Sequence, residues 1–266
     1  MAMLVLKIGG CMADSAGNLV KDIASLSKSG ERIVLVHGGG PQVTSLERAC
    51  GREPAYIYSK EGFKSRHTDE KTIKNFVMAV GGGVNSSLVR LLRKSGVNAA
   101  GLSGTSGVLF AKRKILISYE NGKEIMVRDD FSGKLSRIGI EPINALVSHG
   151  MVPVIAPIAI GEEFEPLNVD GDRAAAALAS ALGAQKLILF TDVDGYFRNF
   201  PNDLVQKATL GEIADFQKTA SAGMKRKLIA VSEALSAGVP EAIICSGKKE
   251  FPLTSALAGA GTHFAK

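Results

Sequence analysis

Short apolar runs alternate with amphipathic stretches along most of this chain. The run MLVLKI at 3–8 predicts a strand, and NLVKDIASLSK at 18–28 then repeats apolar residues at helical spacing. RIVLV at 32–36 is a second strand, followed by a helix over PQVTSLERAC. Residues 68–80 and 84–95 predict two helices interrupted by the glycines at 81–83, and NAAGLSG then predicts turns. The stretch from Gly107 to Asp130 alternates and contains Asn121-Gly122, a strong hairpin signal. EPINALVSHG predicts a short helix closed by Gly150, and MVPVIAPIAI a buried strand. GDRAAAALASALG is a helix, QKLILFTDV a strand, KRKLIAVSEALSAG a helix, EAIICSG a strand and GTHFAK a final strand.

Recurrent strand–helix units with continuously apolar strands imply a mainly parallel sheet covered on both faces. The expected architecture is therefore α/β, an open αβα sandwich, with the hairpin as an antiparallel insertion. No Pro/Ser-rich linker divides it. Two lobes are expected, residues 1–165 and 166–266, meeting near GEEFEPLN at 161–168.

Composition narrows the function classes. At 266 residues the chain can bury a sizeable core, and 6% aromatics without Trp suits α/β layers. Net charge is +6, but the basic residues are dispersed and no aromatic RNA-binding motif occurs, which argues against nucleic acid. Cys11, Cys50 and Cys245 form no pairable set or CxxC, and the expectation is a reducing, cytoplasmic setting. No apolar run reaches membrane-spanning length, and MAMLVLKIGG reads as a first strand and not as a leader.

Ligands in open parallel sheets gather at the carboxyl ends of strands. Here those ends carry Lys7 with Gly9-Gly10, His37 with Gly38-Gly39-Gly40, LNVDGD, TDVDG and CSGKK. Three glycines in succession cost backbone entropy, and one use for them is close approach of bare N–H groups to an anion at a helix N-terminus. Neither GxxxxGK[ST] nor GxGxxG is present. Lys225, Arg226 and Lys227 open a predicted helix, where cations oppose the dipole unless a polyanion binds. Asp170 and Asp172 precede another helix; capping explains one of them, and orienting a lysine or joining a Mg²⁺ shell are the other readings.

The ordered set KIGG, HGGGPQV, SRHTD, GGGVN, GLSG, LNVDGDRAAAALASALGA, LILFTDVDG and GMKRK resembles the amino acid kinase family, in its acetylglutamate-kinase-like branch. GFKSRHTDE, NVDGDRAAAA and GMKRK are more similar to the kinases whose 2-aminoadipate or glutamate is attached to the carrier protein LysW, in lysine or arginine biosynthesis. Ala222 stands where the family often has glycine.

That resemblance implies a carbamate-kinase-like fold, with acceptor binding in the N-terminal lobe and ATP in the C-terminal one. It implies ATP- and Mg²⁺-dependent phosphorylation of a side-chain carboxylate, with Mg²⁺ held mainly by ATP. Lys7 and Lys227 would neutralise the transferring phosphoryl group, with Asp172 orienting both. Gly9, Gly10, Gly38 and Gly39 would donate backbone N–H bonds to the phosphates and the reacting carboxylate. Arg66 would grip the acceptor's α-carboxylate as a fork, and Asn168 its amide. Thr191, Asp192, Gly195 and Gly223 would line the nucleotide pocket. A small acidic carrier would be steered by Lys60, Lys64, Lys71 and Lys74, with Lys112, Arg113 and Lys114 on the hairpin. A homodimer is expected. The alternative within the family is a kinase of free N-acetylglutamate; outside it, an amino-acid and nucleotide sensor. Aminoadipate and glutamate differ by one methylene, worth only about 1–3 kcal/mol, so the sequence does not separate them.

Overall fold

The computed structural model describes residues 2–10, 16–60, 64–120 and 123–266. In chain order the described elements begin with β1 (Met3–Ile8), α1 (Gly17–Lys28), β2 (Arg32–His37), α2 (Gly40–Ala49), β3 (Tyr56–Tyr58) and β4 (Lys64–Arg66). Then come α3 (Glu70–Phe76), a π-helical segment (Val77–Val84), α4 (Asn85–Lys94), β5 (Ala99–Ser103), β6 (Leu109–Arg113), β7 (Leu116–Glu120), β8 (Lys123–Val127) and β9 (Gly133–Ile138). They are followed by α5 (Glu141–Ser148), β10 (Val152–Ala156), β11 (Ile158–Ile160), β12 (Pro166–Asn168), α6 (Gly171–Ala181) and β13 (Lys186–Thr191). The last are β14 (Lys207–Thr209), α7 (Ile213–Thr219), α8 (Ala222–Ser236), β15 (Glu241–Ser246), α9 (Pro252–Leu257) and β16 (Thr262–Ala265).

An eight-stranded sheet runs β14-β16-β15-β13-β1-β2-β10-β5. Its six inner and right-hand strands, from β15 to β5, are parallel, and β16 is antiparallel to β15. The sheet draws strands from both sides of residue 165, because β1 pairs directly with β13. A second sheet, β12-β11-β6-β9, and two ribbons, β3–β4 and β7–β8, complete the fold.

Side-chain parity decides what meets what. Met3 and Val5 of β1, with Val34 and Val36 of β2, pack in one core with α6 and α8. Leu4, Leu6 and Ile8, with Ile33 and Leu35, pack in the other with α1, α4 and α9. Successive strand residues face opposite sides, so Lys7 shares the α6/α8 face and His37 the α4 face. β1 is flanked by β2 on one side and β13 on the other, and the chain leaves them in opposite directions. That is the switch point at which open parallel sheets bind ligands.

Three sequence expectations are corrected. Gly81, Gly82 and Gly83 do not interrupt a helix. They lie inside the π-helical segment, which joins α3 to α4 without a break. The widened turn seats Val80 against Gly39, where a Cβ would lie 2.7 Å from a Val80 methyl. NAAGLSG is not a turn; it forms the edge strand β5. MVPVIAPIAI divides near Pro157 into β10 and β11, which belong to different sheets. The expected hairpin is present as β7 paired antiparallel with β8, while Asn121-Gly122 and Cys11 lie outside the described residues. Among the described residues, no helix is long and apolar enough to cross a membrane.

Candidate active site

A carboxylate held between two lysines lies at the carboxyl end of β1. Lys7 Nζ is 2.7 Å from Asp172 Oδ1, and Lys227 Nζ is 3.1 Å from Asp172 Oδ2. The three side chains are only 8–11% exposed. They come from a strand and two helices: Lys7 from β1, Asp172 from the first turn of α6 and Lys227 from α8. Burial alone would raise the pKa of Asp172. The charge of Lys7 and then that of Lys227 outweigh it, leaving the carboxyl at about 2 and ionised. Lys227 is pulled below the ordinary lysine value, first by burial and then by the charge of Lys7, against the support of Asp172. Among these three groups two cations face one anion where water reaches them poorly, an arrangement suited to an incoming anion.

The surrounding backbone adds to that field. The N-termini of α2, α6 and α8 all open on one cavity of about 850 Å³, lined by Gly40 and Pro41, by Gly171 and Asp172, and by Ser221 and Gly223. Helix N-termini carry partial positive charge and unsatisfied N–H groups. Asp170 caps α6 by accepting from the N–H of Asp172 and of Arg173, at 2.9 and 3.0 Å. Two of the readings of the NVDGD pair are therefore seen in the contacts: Asp170 caps, and Asp172 pairs with both lysines. Ser221 caps α8, so Lys225, Arg226 and Lys227 occupy its fourth to sixth positions and do not open it.

The glycines answer first to one another. A Cβ on Gly10 would lie 2.8 Å from Gly39 N and from Pro41 Cδ, and a Cβ on Gly38 would lie 2.8 Å from Gly10 N. The loops after β1 and β2 thus meet backbone to backbone, and side chains would force them apart. Beneath them, buried His37 donates from Nδ1 to Gly38 O at 2.9 Å and accepts at Nε2 from Asn85 Nδ2 at 3.0 Å. Burial lowers its pKa to about 4, with Lys7 adding to the effect, so it is neutral. Asn85 also donates to Val154 O, and its carbonyl fills the space where Gly101 lacks a Cβ.

The sequence-predicted residues divide between two cavities. Lys7, Gly10, Gly38, Gly39, Asp172, Thr191, Asp192, Gly195, Gly223 and Lys227 line the large one; Gly9 adjoins Gly10. Gly195 has a packing reason, since a Cβ would lie 2.6 Å from Thr262 Oγ1. Arg66 and Asn168 line a neighbouring cavity of about 380 Å³, which shares Asp170 and Arg226 with the first. Asn168 donates to Thr68 Oγ1 at 3.1 Å. Arg66 is already engaged: Nη1 donates to Glu47, and Nη2 to Thr44 Oγ1 at 2.6 Å and Gly40 O at 3.1 Å. Three of its five donors are used in these contacts.

Sequence reasoning missed His37 and Asn85 as a linked pair, Glu47 as the partner of Arg66, and the aromatic side chains Tyr196, Phe197 and Phe200 on the large cavity. Only GGGVN signalled Asn85, and as part of a motif. Among the described residues, no cluster of three or more His, Cys, Asp or Glu could hold a metal ion.

The sequence profile of the amino acid kinase family matches residues 2–246. A relative from Nitrosopumilus maritimus (strain SCM1), provisionally named LysW-aminoadipate/LysW-glutamate kinase, is 40% identical over 96% of each chain. The LysW-aminoadipate kinase of Thermus thermophilus is 37% identical over 98% of this chain and 99% of its own. The carbamate kinase of Giardia lamblia bound to AMP-PNP superposes with a TM-score of 0.72 over 100% of this chain and 98% of its own, at 18% identity, a likeness of fold.

Proposed function

The chain belongs to the amino acid kinase family, and from that premise we propose that it is an ATP-dependent kinase acting on 2-aminoadipate or glutamate attached to a LysW-type carrier protein. It converts the side-chain carboxylate to an acyl phosphate. The observation that carries this reading is Asp172 holding Lys7 and Lys227 on the floor of a cavity that three helix N-termini face.

The chemistry follows from charge. An acceptor carboxylate and a terminal phosphate repel one another, and the transition state spreads negative charge over the equatorial phosphoryl oxygens. Lys7 and Lys227 flank that group and offset its charge, while Asp172 fixes both ammonium groups so that no reorganisation accompanies the reaction. The paired loops around Gly10, Gly38 and Gly39 present backbone to the phosphates. Neutral His37 supports the second loop without adding a charge that titrates near neutrality. No general base is required, because a carboxylate is ionised at neutral pH.

The fit to a nucleotide rests on the large cavity, whose volume of about 850 Å³ lies within the range usual for small-molecule sites. Thr191, Asp192, Gly195 and Gly223 would hold the nucleoside end, beside Tyr196 and Phe197. Mg²⁺ bound to the nucleotide phosphates would screen their charge. Arg66 and Asn168 would flank the acceptor in the adjoining cavity. The C-terminal lobe, residues 166–266, supplies most nucleotide contacts in this reading, and residues 1–165 most acceptor contacts. The working form would be a cytoplasmic homodimer.

Hydroxylamine traps acyl phosphates as hydroxamates. With ATP and Mg²⁺, hydroxamate is expected from carrier-linked aminoadipate or glutamate and not from free N-acetylglutamate. Turnover of the free compound alone would place the enzyme with acetylglutamate kinases.

A further inference from the structure

Most of the charged residues described around the cavity beside the catalytic cleft are cations. Four cations line it: Arg66, Lys114, Arg173 and Arg226. Two already have carboxylates. Arg66 pairs with Glu47, and Arg173 makes a two-point contact with Glu233, Nε donating at 2.9 Å. Among the described residues the one carboxylate lining the cavity is Asp170, which caps α6. Lys114 and Arg226 are in no ion pair among the described residues. Arg226 donates to the carbonyl oxygen of Lys64, which carries no charge.

Both residues are held in place. The N–H of Lys114 donates to Ser132 O at 2.8 Å, fixing the link between β6 and β7 against β9. Its side chain also lines a smaller cavity of about 180 Å³ with Lys134, Asp170 and Arg173. Burial lowers its pKa and the charges of Arg173 and Arg226 add to the effect, against the opposing pull of Asp170 and Asp130, so an ammonium group sits where water solvates it poorly. Arg226 spans both cavities from the first turns of α8, one residue before Lys227. Ser132 and Asn168 line the same cavity with neutral polar groups. This is the donor set of a carboxylate site: two cations outside any described ion pair, with neutral polar groups beside them.

We propose that Lys114 and Arg226 form a second anion subsite, which binds a carboxylate of the acceptor other than the one that is phosphorylated. The assignment rests on the carrier-linked acceptor proposed above. Such an acceptor offers two unreacted carboxylates, that of the amino acid itself and that of the carrier's terminal residue, and the subsite takes one of them. Arg66, with three donors spent on the protein, then acts with Glu47 as a wall of the cavity and contributes single hydrogen bonds.

The test measures kcat and KM of the full-length enzyme with a synthetic peptide that copies the carrier tail and bears the amino acid. Two further peptides have one or the other unreacted carboxylate converted to carboxamide. Lys114→Met should raise KM for the parent peptide at least about tenfold, a loss in the range of one charge-assisted hydrogen bond, with kcat largely retained. Lys114→Arg should restore KM. The peptide whose carboxamide replaces the bound group should show the same high KM with wild type and Lys114→Met, which identifies the source. If wild type turns over the parent peptide and Lys114→Met has an unchanged KM, the subsite is refuted while the kinase assignment stands. If wild type takes only free N-acetylglutamate, the carrier reading fails. The same KM comparison on that compound, which retains one unreacted carboxylate, then decides the subsite.

Discussion

Replacing Asp172 by Asn tests the arrangement at its centre. The side chain keeps its shape and loses the charge between two buried lysines. The fall of the Asp172 pKa from 3.8 to about 2 is nearly two units, about 2–3 kcal/mol in favour of the ionised form. Removing one member of a buried ion pair generally costs about 3–5 kcal/mol, because the remaining charge is left uncompensated. Lys227 is the member with less to lose, since burial and Lys7 already lower its pKa. Without Asp172 its pKa should fall further, because burial and Lys7 then act unopposed by that carboxylate, which weakens the cation beside the phosphoryl group. The kcat of Asp172→Asn should fall about 100- to 1,000-fold, the usual effect of losing a preorganised electrostatic contact. Its residual activity should fall more steeply than that of wild type on the alkaline side, the direction in which a lysine of lowered pKa loses its charge. Steady-state kinetics from pH 6 to 9 and thermal melts measure both. A variant with kcat within about threefold of wild type and an unchanged pH profile would refute the reasoning.

Three further outcomes follow from the geometry. Gly10→Ala should lower stability by about 1–3 kcal/mol through overpacking and abolish most activity, because its Cβ meets Gly39 N and Pro41 Cδ at 2.8 Å; Gly82→Ala, with nothing within 4 Å, should melt like wild type. His37 should stay neutral by NMR down to about pH 4. Its folded pKa lies below its ordinary 6.5, so its contribution of about 3 kcal/mol is complete above that value and is lost as pH falls from 6.5 towards 4; a ring protonated at pH 6 would contradict this. Reversing Lys60 and Lys64 to Glu should raise the carrier KM and flatten its salt dependence with kcat maintained, since rim charges act on encounter; an unchanged KM would remove these lysines from the docking surface.

The sequence made the parallel sheet legible because its strands are buried on both faces and read as unbroken apolar runs. The same property hid their orientation. MLVLKI shows no alternation, so nothing local says that Lys7 faces α6 and α8 and not α4. Resemblance to a family supplied that pairing. Glycine counting misled twice, at the π-helical segment and at β5, because both glycine sets answer to distant packing: Gly81 against Ile158, Gly101 against Asn85. The engagement of Arg66 was equally illegible. Its partners Gly40, Thr44 and Glu47 lie 19 to 26 positions earlier in the chain, and only the β3–β4 ribbon folding back onto α2 joins them. Lys114 looked like one more surface lysine of a basic hairpin, and its burial beside Arg173 and Arg226 is visible only in three dimensions.

The central claim is that this cleft transfers phosphate to a carboxylate on a carrier-borne amino acid. Intact-mass spectrometry of the carrier measures it most directly. After incubation with enzyme, ATP and Mg²⁺, carrier bearing aminoadipate or glutamate should gain the mass of one phosphoryl group, and added hydroxylamine should replace that gain with the mass of a hydroxamate. Carrier that stays unmodified while free N-acetylglutamate is phosphorylated in the same tube would contradict the account.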